Sequence, residues 1–273
     1  MLKTIAPKSQ LLQKYIDSFY LFNSVIHRSI SYLAFPHTNT GLSFFKGVAI
    51  ERDNHCVKIS ERKVADDNVC IEVLGKYTQP VFVNYEGAIE EISIVFKPLG
   101  INRFIRKDHV NIAPDYSQPF SDNDWLQAAK GFFSTDDKIE ALEQFLLSVF
   151  REKDEFQSIQ RSLDIFEDRM DDSSLAEVAE KLNMNLKTFQ RNFKKAMACS
   201  PSDYRRIARF RNSLNSKFHS KEIKSLTDIT YENNYSDQSY FIREFRKLTN
   251  QNPKFFFKEA SLIDGDKIVW EIL

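Results

Sequence analysis

Two stretches in the second half of the chain are copies of one another. SLAEVAEKLNMNLKTFQRNFKKAMACSPSDY (174–204) aligns with SLTDITYENNYSDQSYFIREFRKLTNQNPKFF (225–256). Ser174, Leu175 and Asn183 match Ser225, Leu226 and Asn234. After one added residue, Phe189, Arg191, Phe193, Lys195 and Pro201 match Phe241, Arg243, Phe245, Lys247 and Pro253. The two copies must therefore fold alike, and each carries the local signals of three short helices. Ser174 with Glu177 and Ser225 with Asp228 have capping-box spacing, the second with Asp where Glu or Gln is usual. Asn183 and Asn234 fall where a first helix must end, and Asn tolerates the left-handed conformation needed there. Asn185 and Ser236 are placed to cap a second helix. Ser200-Pro201 and Asn252-Pro253 pair a cap residue with proline at the first helical position.

Helix, tight turn, helix is the anatomy whose second helix enters the DNA major groove. These residues, with SPSDYRRIARFRNSLNSKF (200–218) between the copies, resemble the AraC/XylS family of bacterial transcription regulators over about 100 residues, Phe156 to Lys258. The resemblance rests on both motifs, the linker and the prolines together. It departs at the turns, where the family usually has glycine and Asn183 and Asn234 stand here, and at Thr230, where alanine is usual. A connecting helix of about 18 residues, at about 1.5 Å each, is about 27 Å long. That length can set two recognition helices near one turn of DNA apart, so that a single chain reads two successive major-groove segments.

Charge agrees. Between Asn185 and Lys258 lie 16 Lys and Arg against 6 Asp and Glu, leaving 22 against 32 in the remainder of a chain whose formal charge is zero. Such a split suits a basic module for a polyanion joined to an acidic module with another task. On the first recognition helix Phe189 and Phe193 should face inward. Asn185, Lys187, Thr188, Gln190 and Arg191 should face outward near its N-terminal half, where the resemblance implies base contacts. On the second, Phe241 and Phe245 are core, and the resemblance implies that Gln238, Ser239, Tyr240, Ile242 and Arg243 face the groove. Arg can donate twice to guanine, Gln can pair with adenine and Ile can meet a thymine methyl. Lys194, Lys195, Arg246 and Lys247 suit phosphates. Arg205, Arg206, Arg209 and Arg211 of the connecting helix are either phosphate contacts or a solvated face.

Residues 1–110 read as mainly β. VCIEVLG (69–75), PVFVNYEG (80–87) and EEISIVFKPLG (90–100) are short, rich in β-branched and aromatic residues, and bounded by Gly or Pro. YLAFPHTNTGLSFFKG (32–47) reads as two strands about a turn, and LLQKYIDSFYLF (11–22) fits a short helix or a strand. KIEALEQFLLSVFREK (138–153) places Ile139, Leu142, Phe145, Leu146 and Val149 on one helical face, a stripe that is either core or a dimer seam. FQSIQRSLDIFEDRM (156–170) aligns Phe156, Ile159, Leu163, Phe166 and Met170 likewise. The resemblance implies a cupin-like β-barrel that senses a small molecule, then helices that dimerise, and it favours the seam. The expected fold is thus α+β. A β-rich sensor covers 1–115, a helical linker 116–154, an all-α DNA-binding domain with two helix-turn-helix motifs 155–260, and a tail 261–273.

The expected function is a sequence-specific DNA-binding transcription regulator of the AraC type, an activator working with RNA polymerase. Double-stranded promoter DNA is its partner, and a small-molecule effector and a homodimer are left open. The rival reading is a cupin-type enzyme or small-molecule sensor whose basic tail binds nucleic acid non-specifically. His27, His37, His55 and His109 lack HxH spacing, and no GxSxG, P-loop, HExxH or GxGxxG occurs, so no catalytic residue, metal or cofactor is expected. Asp66-Asp67 and Glu90-Glu91 read as solvated charges. Phe35, Phe44, Phe45, Tyr77, Phe82 and Tyr85 read as barrel core rather than pocket lining. No run of 18 apolar residues occurs, the N-terminus lacks a signal peptide's apolar core, and three cysteines without CxxC spacing fit a reducing compartment, so the cytoplasm is expected.

Overall fold

Side-chain alternation along the strands of the first half decides how its layers lie. The computed structural model describes residues 2–24, 29–62, 68–113, 115–152, 154–168, 172–219, 224–259, 261–263 and 268–272. The strands are β1 (Leu2–Ile5), β2 (Ile16–Ser24), β3 (Ile30–Ala34), β4 (Thr40–Lys46), β5 (Val48–Asp53), β6 (Cys56–Glu61), β7 (Val69–Leu74), β8 (Val81–Glu86), β9 (Ile89–Phe96) and β10 (Gln118–Pro119). A single helical turn, α1 (Gln10–Gln13), precedes β2, so the ambiguous 11–22 segment is both helix and strand. One sheet has the order β1-β2-β9-β4-β7-β10 and is antiparallel throughout. The second contains β3-β8-β6-β5, with β6 and β8 parallel. The two strands read from 32–47 do not form a hairpin, because β3 belongs to one sheet and β4 to the other.

In the first sheet Leu42, Phe44, Ile71, Val73, Ile92, Ile94 and Phe96 share a core with two helices, α3 (Asn123–Phe133) and α4 (Lys138–Val149). Phe44 stacks on Trp125 at 6.2 Å and meets Phe132 edge-on at 5.6 Å. Ile139, Leu142 and Leu146 of α4 are fully enclosed there, with Phe145 and Val149 packed against them. The stripe is therefore intramolecular core and not the dimer seam, because Trp125 and Phe132 already occupy the space a partner helix would fill. The opposite face of the sheet carries Ser43, Phe45, Glu72, Glu91 and Ser93 toward the second sheet. Asp122 and Asp137 cap α3 and α4, accepting from the amides of Asp124 and Trp125 and of Glu140.

The remaining helices are α2 (His109–Ile112), α5 (Gln157–Glu167), α6 (Leu175–Lys181), α7 (Leu186–Met197), α8 (Pro201–Phe218), α9 (Leu226–Glu232), α10 (Gln238–Thr249) and α11 (Pro253–Glu259). Helices α4 and α5 stop at Val149 and Glu167, before the ends read from periodicity, and Met170 lies outside the described residues. After α11 come β11 (Ser261–Ile263) and β12 (Ile268–Ile272). The segment read as a tail extends the second sheet, β12 pairing with β3.

Besides the pairing of β12 with β3, two packing contacts tie the helical half to the sheets. At the end of β9, Gly100 passes so close to Tyr15 that a Cβ would sit 2.1 Å from its carbonyl oxygen, which restricts the site to glycine. Leu99 before it adopts φ 62° and packs in the core around α5, α6 and α7. Asn102 donates to the Ala196 carbonyl of α7 at 2.9 Å, and His109 Nδ1 lies 3.3 Å from the same oxygen. The second contact is Phe35, buried with Phe210, Phe245 and Phe256. There Arg211 of α8 donates to the Phe35 and Pro36 carbonyls, both at 2.7 Å.

Candidate nucleic-acid interface

Each copy of the repeat builds the same reader from the same local forces. Ser174 and Ser225 accept from the amides of Glu177 and Asp228, whose carboxylates bond back to the serine amides, so both capping boxes are closed. Asn183 and Asn234 both take φ 54°, and the turn after each first helix is intact without glycine. Thr230 is wholly buried where a smaller residue would serve, and its hydroxyl is satisfied by the Leu226 carbonyl at 2.7 Å. Asn185 caps α7 through Thr188. Ser236 does not cap α10; Asp237 does, accepting from the Tyr240 amide at 2.8 Å, while Ser236 donates to Asp237. The extra residue in the second copy moves the cap one place on. The copies also end alike, with Ala198 and Asn250 in the left-handed conformation at φ 59° and 57°.

The inward aromatics are where periodicity puts them. Phe189, Phe193, Phe241 and Phe245 are at most 1% exposed. Phe193 packs on Phe166 and Tyr204, and Phe245 on Phe210, Phe241, Phe256 and Phe257. On the outer side of α7, Asn185, Lys187, Gln190, Arg191, Lys194 and Lys195 are exposed and Thr188 is half-buried. On α10, Gln238, Ser239, Arg243, Arg246 and Lys247 are exposed, with Tyr240 and Ile242 half-buried. The Arg243 guanidinium lies over the Tyr240 ring, 5.1 Å from its centroid, a platform that Arg191 lacks because Thr188 stands in the equivalent place. Asn185 already uses its side-chain oxygen as a cap. Lys195 pairs with Asp108 at 3.5 Å and Lys247 with Glu244 at 2.7 Å, so both cations start from protein partners.

Helix α8 joins the readers through 18 residues. Its arginines are engaged within the protein and do not form a merely solvated face. Arg205 lies over Phe166 at 4.6 Å, and Arg206 bonds Asp203 and approaches Glu244 at 4.0 Å. Arg209 pairs with Asp172 at 3.3 Å, and Arg211 holds the Phe35 and Pro36 carbonyls. Burial lowers the Arg211 pKa to about 10.

Between the two sheets lies a cavity of about 370 Å³, into which Arg211 and Asn215 of α8 also reach. Phe35, Phe45 and Tyr85 are buried in core clusters, as read, and with Tyr77 they also line the cavity, whereas Phe44 packs on α3 and Phe82 is half-buried. Glu91 lines it too and is not a solvated charge, and Glu90 pairs with Lys138 at 2.7 Å. Asp66 and Asp67 lie outside the described residues. Among the described residues no three His, Cys, Asp or Glu side chains converge on a metal-sized site, and no helix is long and apolar enough to cross a membrane.

The contacts that Asn102, His109 and Phe35 make escaped sequence reading because their partners are remote in the chain. Burial lowers the His109 pKa to about 3, so it stands neutral beside Ala196. Asp237 had a readable signal, the cap residue immediately before the helix. The Tyr240 amide bonded to it holds its carboxyl below the usual range. Its contribution is therefore present above the ordinary carboxylate pKa and lost as pH falls below it. Asp237→Ala is expected to lower the thermal midpoint by a few degrees, and Asp237→Ser to restore most of the loss, as checked by circular dichroism melting.

Residues 178–259 match the family model described as a helix-turn-helix domain, and residues 3–115 that of a domain of unknown function (DUF6597). No curated protein matches the chain. Among solved structures, ToxT from Vibrio cholerae is 12% identical, with 88% of this chain and 97% of that one covered at a TM-score of 0.45. The DNA-binding domain of AdpA, the global transcriptional factor, solved with a target DNA, is 12% identical, covering 39% of this chain and 92% of its own at a TM-score of 0.33. A DNA-binding transcriptional dual regulator from Escherichia coli K-12 is 18% identical, covering 39% and 92% at 0.32. Scores at this level decide nothing about the site. The family model falls on two readers with matching caps, turns and buried phenylalanines: residues 178–259 are a helix-turn-helix domain.

Proposed function

We propose that the chain is a sequence-specific DNA-binding transcription regulator of the AraC type, reading two successive major-groove segments with α7 and α10. The observation that carries this reading is the duplication itself. Two recognition helices with the same caps, turns and buried faces are joined by one rigid 18-residue helix. Base contacts fall to Lys187, Thr188, Gln190 and Arg191 on α7, and to Gln238, Ser239, Tyr240, Ile242 and Arg243 on α10. Asn185 serves first as a cap. Lys194, Lys195, Arg246 and Lys247 meet phosphates, Lys195 and Lys247 by exchanging their carboxylate partners.

The cavity between the sheets is the effector site of this reading, because α8 forms part of its wall through Arg211 and Asn215. A ligand there touches the element that joins the two readers. RNA polymerase is the protein partner and the cytoplasm the compartment. A homodimer would use a surface other than the α4 stripe, which the chain fills itself.

Selection of duplexes from a random pool by the full chain tests the reading. The recovered DNA should contain two short half-sites about 10 base pairs apart, centre to centre. Recovery without a consensus would leave only a basic domain with general affinity for nucleic acid.

A further inference from the structure

Three carboxylates line the cavity, Asp17, Glu72 and Glu91, and the buried Glu72 and the half-buried Glu91 stand in unequal circumstances. Glu72 is held by two nitrogens of Arg52 and accepts from the Ser117 hydroxyl at 2.8 Å, so its charge is matched within the protein. Glu91 accepts from Tyr85 at 2.7 Å and Ser93 at 2.6 Å, and no basic side chain among the described residues pairs with it. Hydroxyls orient a carboxylate but do not neutralise it, and an ionised carboxylate away from water calls for a counter-charge. Burial accordingly pushes the Glu91 carboxyl up.

The surroundings select the kind of counter-charge. Tyr32 and Tyr85 stack at 5.9 Å, and their hydroxyls stand 3.4 Å apart, ending on Glu91. Phe22 lies 5.1 Å from Tyr85. Ring faces beside a carboxylate attract an organic cation. Phe45, Val57, Val81 and Val83 give the wall an apolar side, while Arg211, which also lines it, is held by the Phe35 and Pro36 carbonyls, and about 370 Å³ is the size of an ordinary small-molecule pocket. A metal ion is a poor fit, since no three His, Cys, Asp or Glu side chains converge there among the described residues.

We infer that the cavity binds a small organic amine in its protonated form, the ammonium group at Glu91 beside Tyr85 and Tyr32 and the apolar body against the valine wall. This assignment rests on reading the cavity as the effector site.

The test uses the full chain and three probes of one skeleton: phenethylamine, phenethyl alcohol and phenylacetate. Calorimetry and thermal midpoints should show phenethylamine binding and stabilising, at least about tenfold more tightly than either analogue. Glu91→Gln keeps the shape and should weaken the amine by about tenfold or more while leaving the alcohol unchanged. The wild-type comparison decides even if that variant fails to fold. Phenylacetate binding in preference to the amine, equal binding of amine and alcohol, or no binding of any probe at millimolar concentration would each overturn the amine assignment. Amine binding that leaves affinity for the selected duplex unchanged would sustain the amine site and sink its effector role.

Discussion

Phe245→Ala is expected to cost about 3–5 kcal/mol and to dismantle the second reader. The ring is 1% exposed and meets Phe210, Phe241, Phe256 and Phe257 at centroid distances of 5.1–5.6 Å. Those contacts come from α8, α10 and α11, so no single element can relax into the space left behind. Phe35, 5.0 Å from Phe256, binds the same cluster to β3 of the sheet half. Hydrogen exchange should therefore lose protection in α9, α10 and α11 well before α5 and α6. Phe245→Leu keeps most of the volume and should cost a smaller part of the loss. A chain that tolerates alanine at less than about 1 kcal/mol would mean that the ring cluster is not closely packed.

Arg191→Ala and Arg243→Ala should each remove about 1–3 kcal/mol of preference at one base step while leaving affinity for random DNA nearly intact. Both arginines stand two residues beyond the first buried phenylalanine of their helix, exposed on the far side. They differ in how they are held. Arg243 rests on Tyr240, so Tyr240→Ala should recover part of the Arg243 effect, whereas Thr188→Ala should do little to Arg191. Lys194→Ala is the contrasting control: it should weaken binding to all duplexes and lower the salt slope by about one. Equal losses on selected and random DNA in the arginine variants would refute their assignment to base readout.

The helical half was legible because its signals are local. A serine three residues before an acid, an asparagine at a turn, and phenylalanines four apart each act within one or two turns of helix. The same letters therefore report the same structure twice. The misread cap at Ser236 lay one residue from the true one, where an inserted residue shifted the match. The sheet half was less legible because its partners are remote. VAIERDNHCVKIS (48–60) forms the β5–β6 hairpin, with Asn54 and His55 both at positive φ, yet its hydrophobic alternation is too weak to announce a strand pair. Glu91 was misread for a related reason. Strand alternation put it opposite Ile92 and Ile94, but that pattern cannot say that the polar face of the sheet is the enclosed one. The α4 stripe has the same periodicity whether Trp125 or a second subunit covers it.

Packing contacts from the sheet half reach both ends of the helical half, on either side of α8. One brace runs from Leu99, Asn102 and His109 to the end of α7; the other runs from Phe35 to the core beneath α10. A single rod would fix the separation of two grips but leave free the angle at which each is turned. Contacts from the sheet half to both readers bear on that angle as well as on the separation.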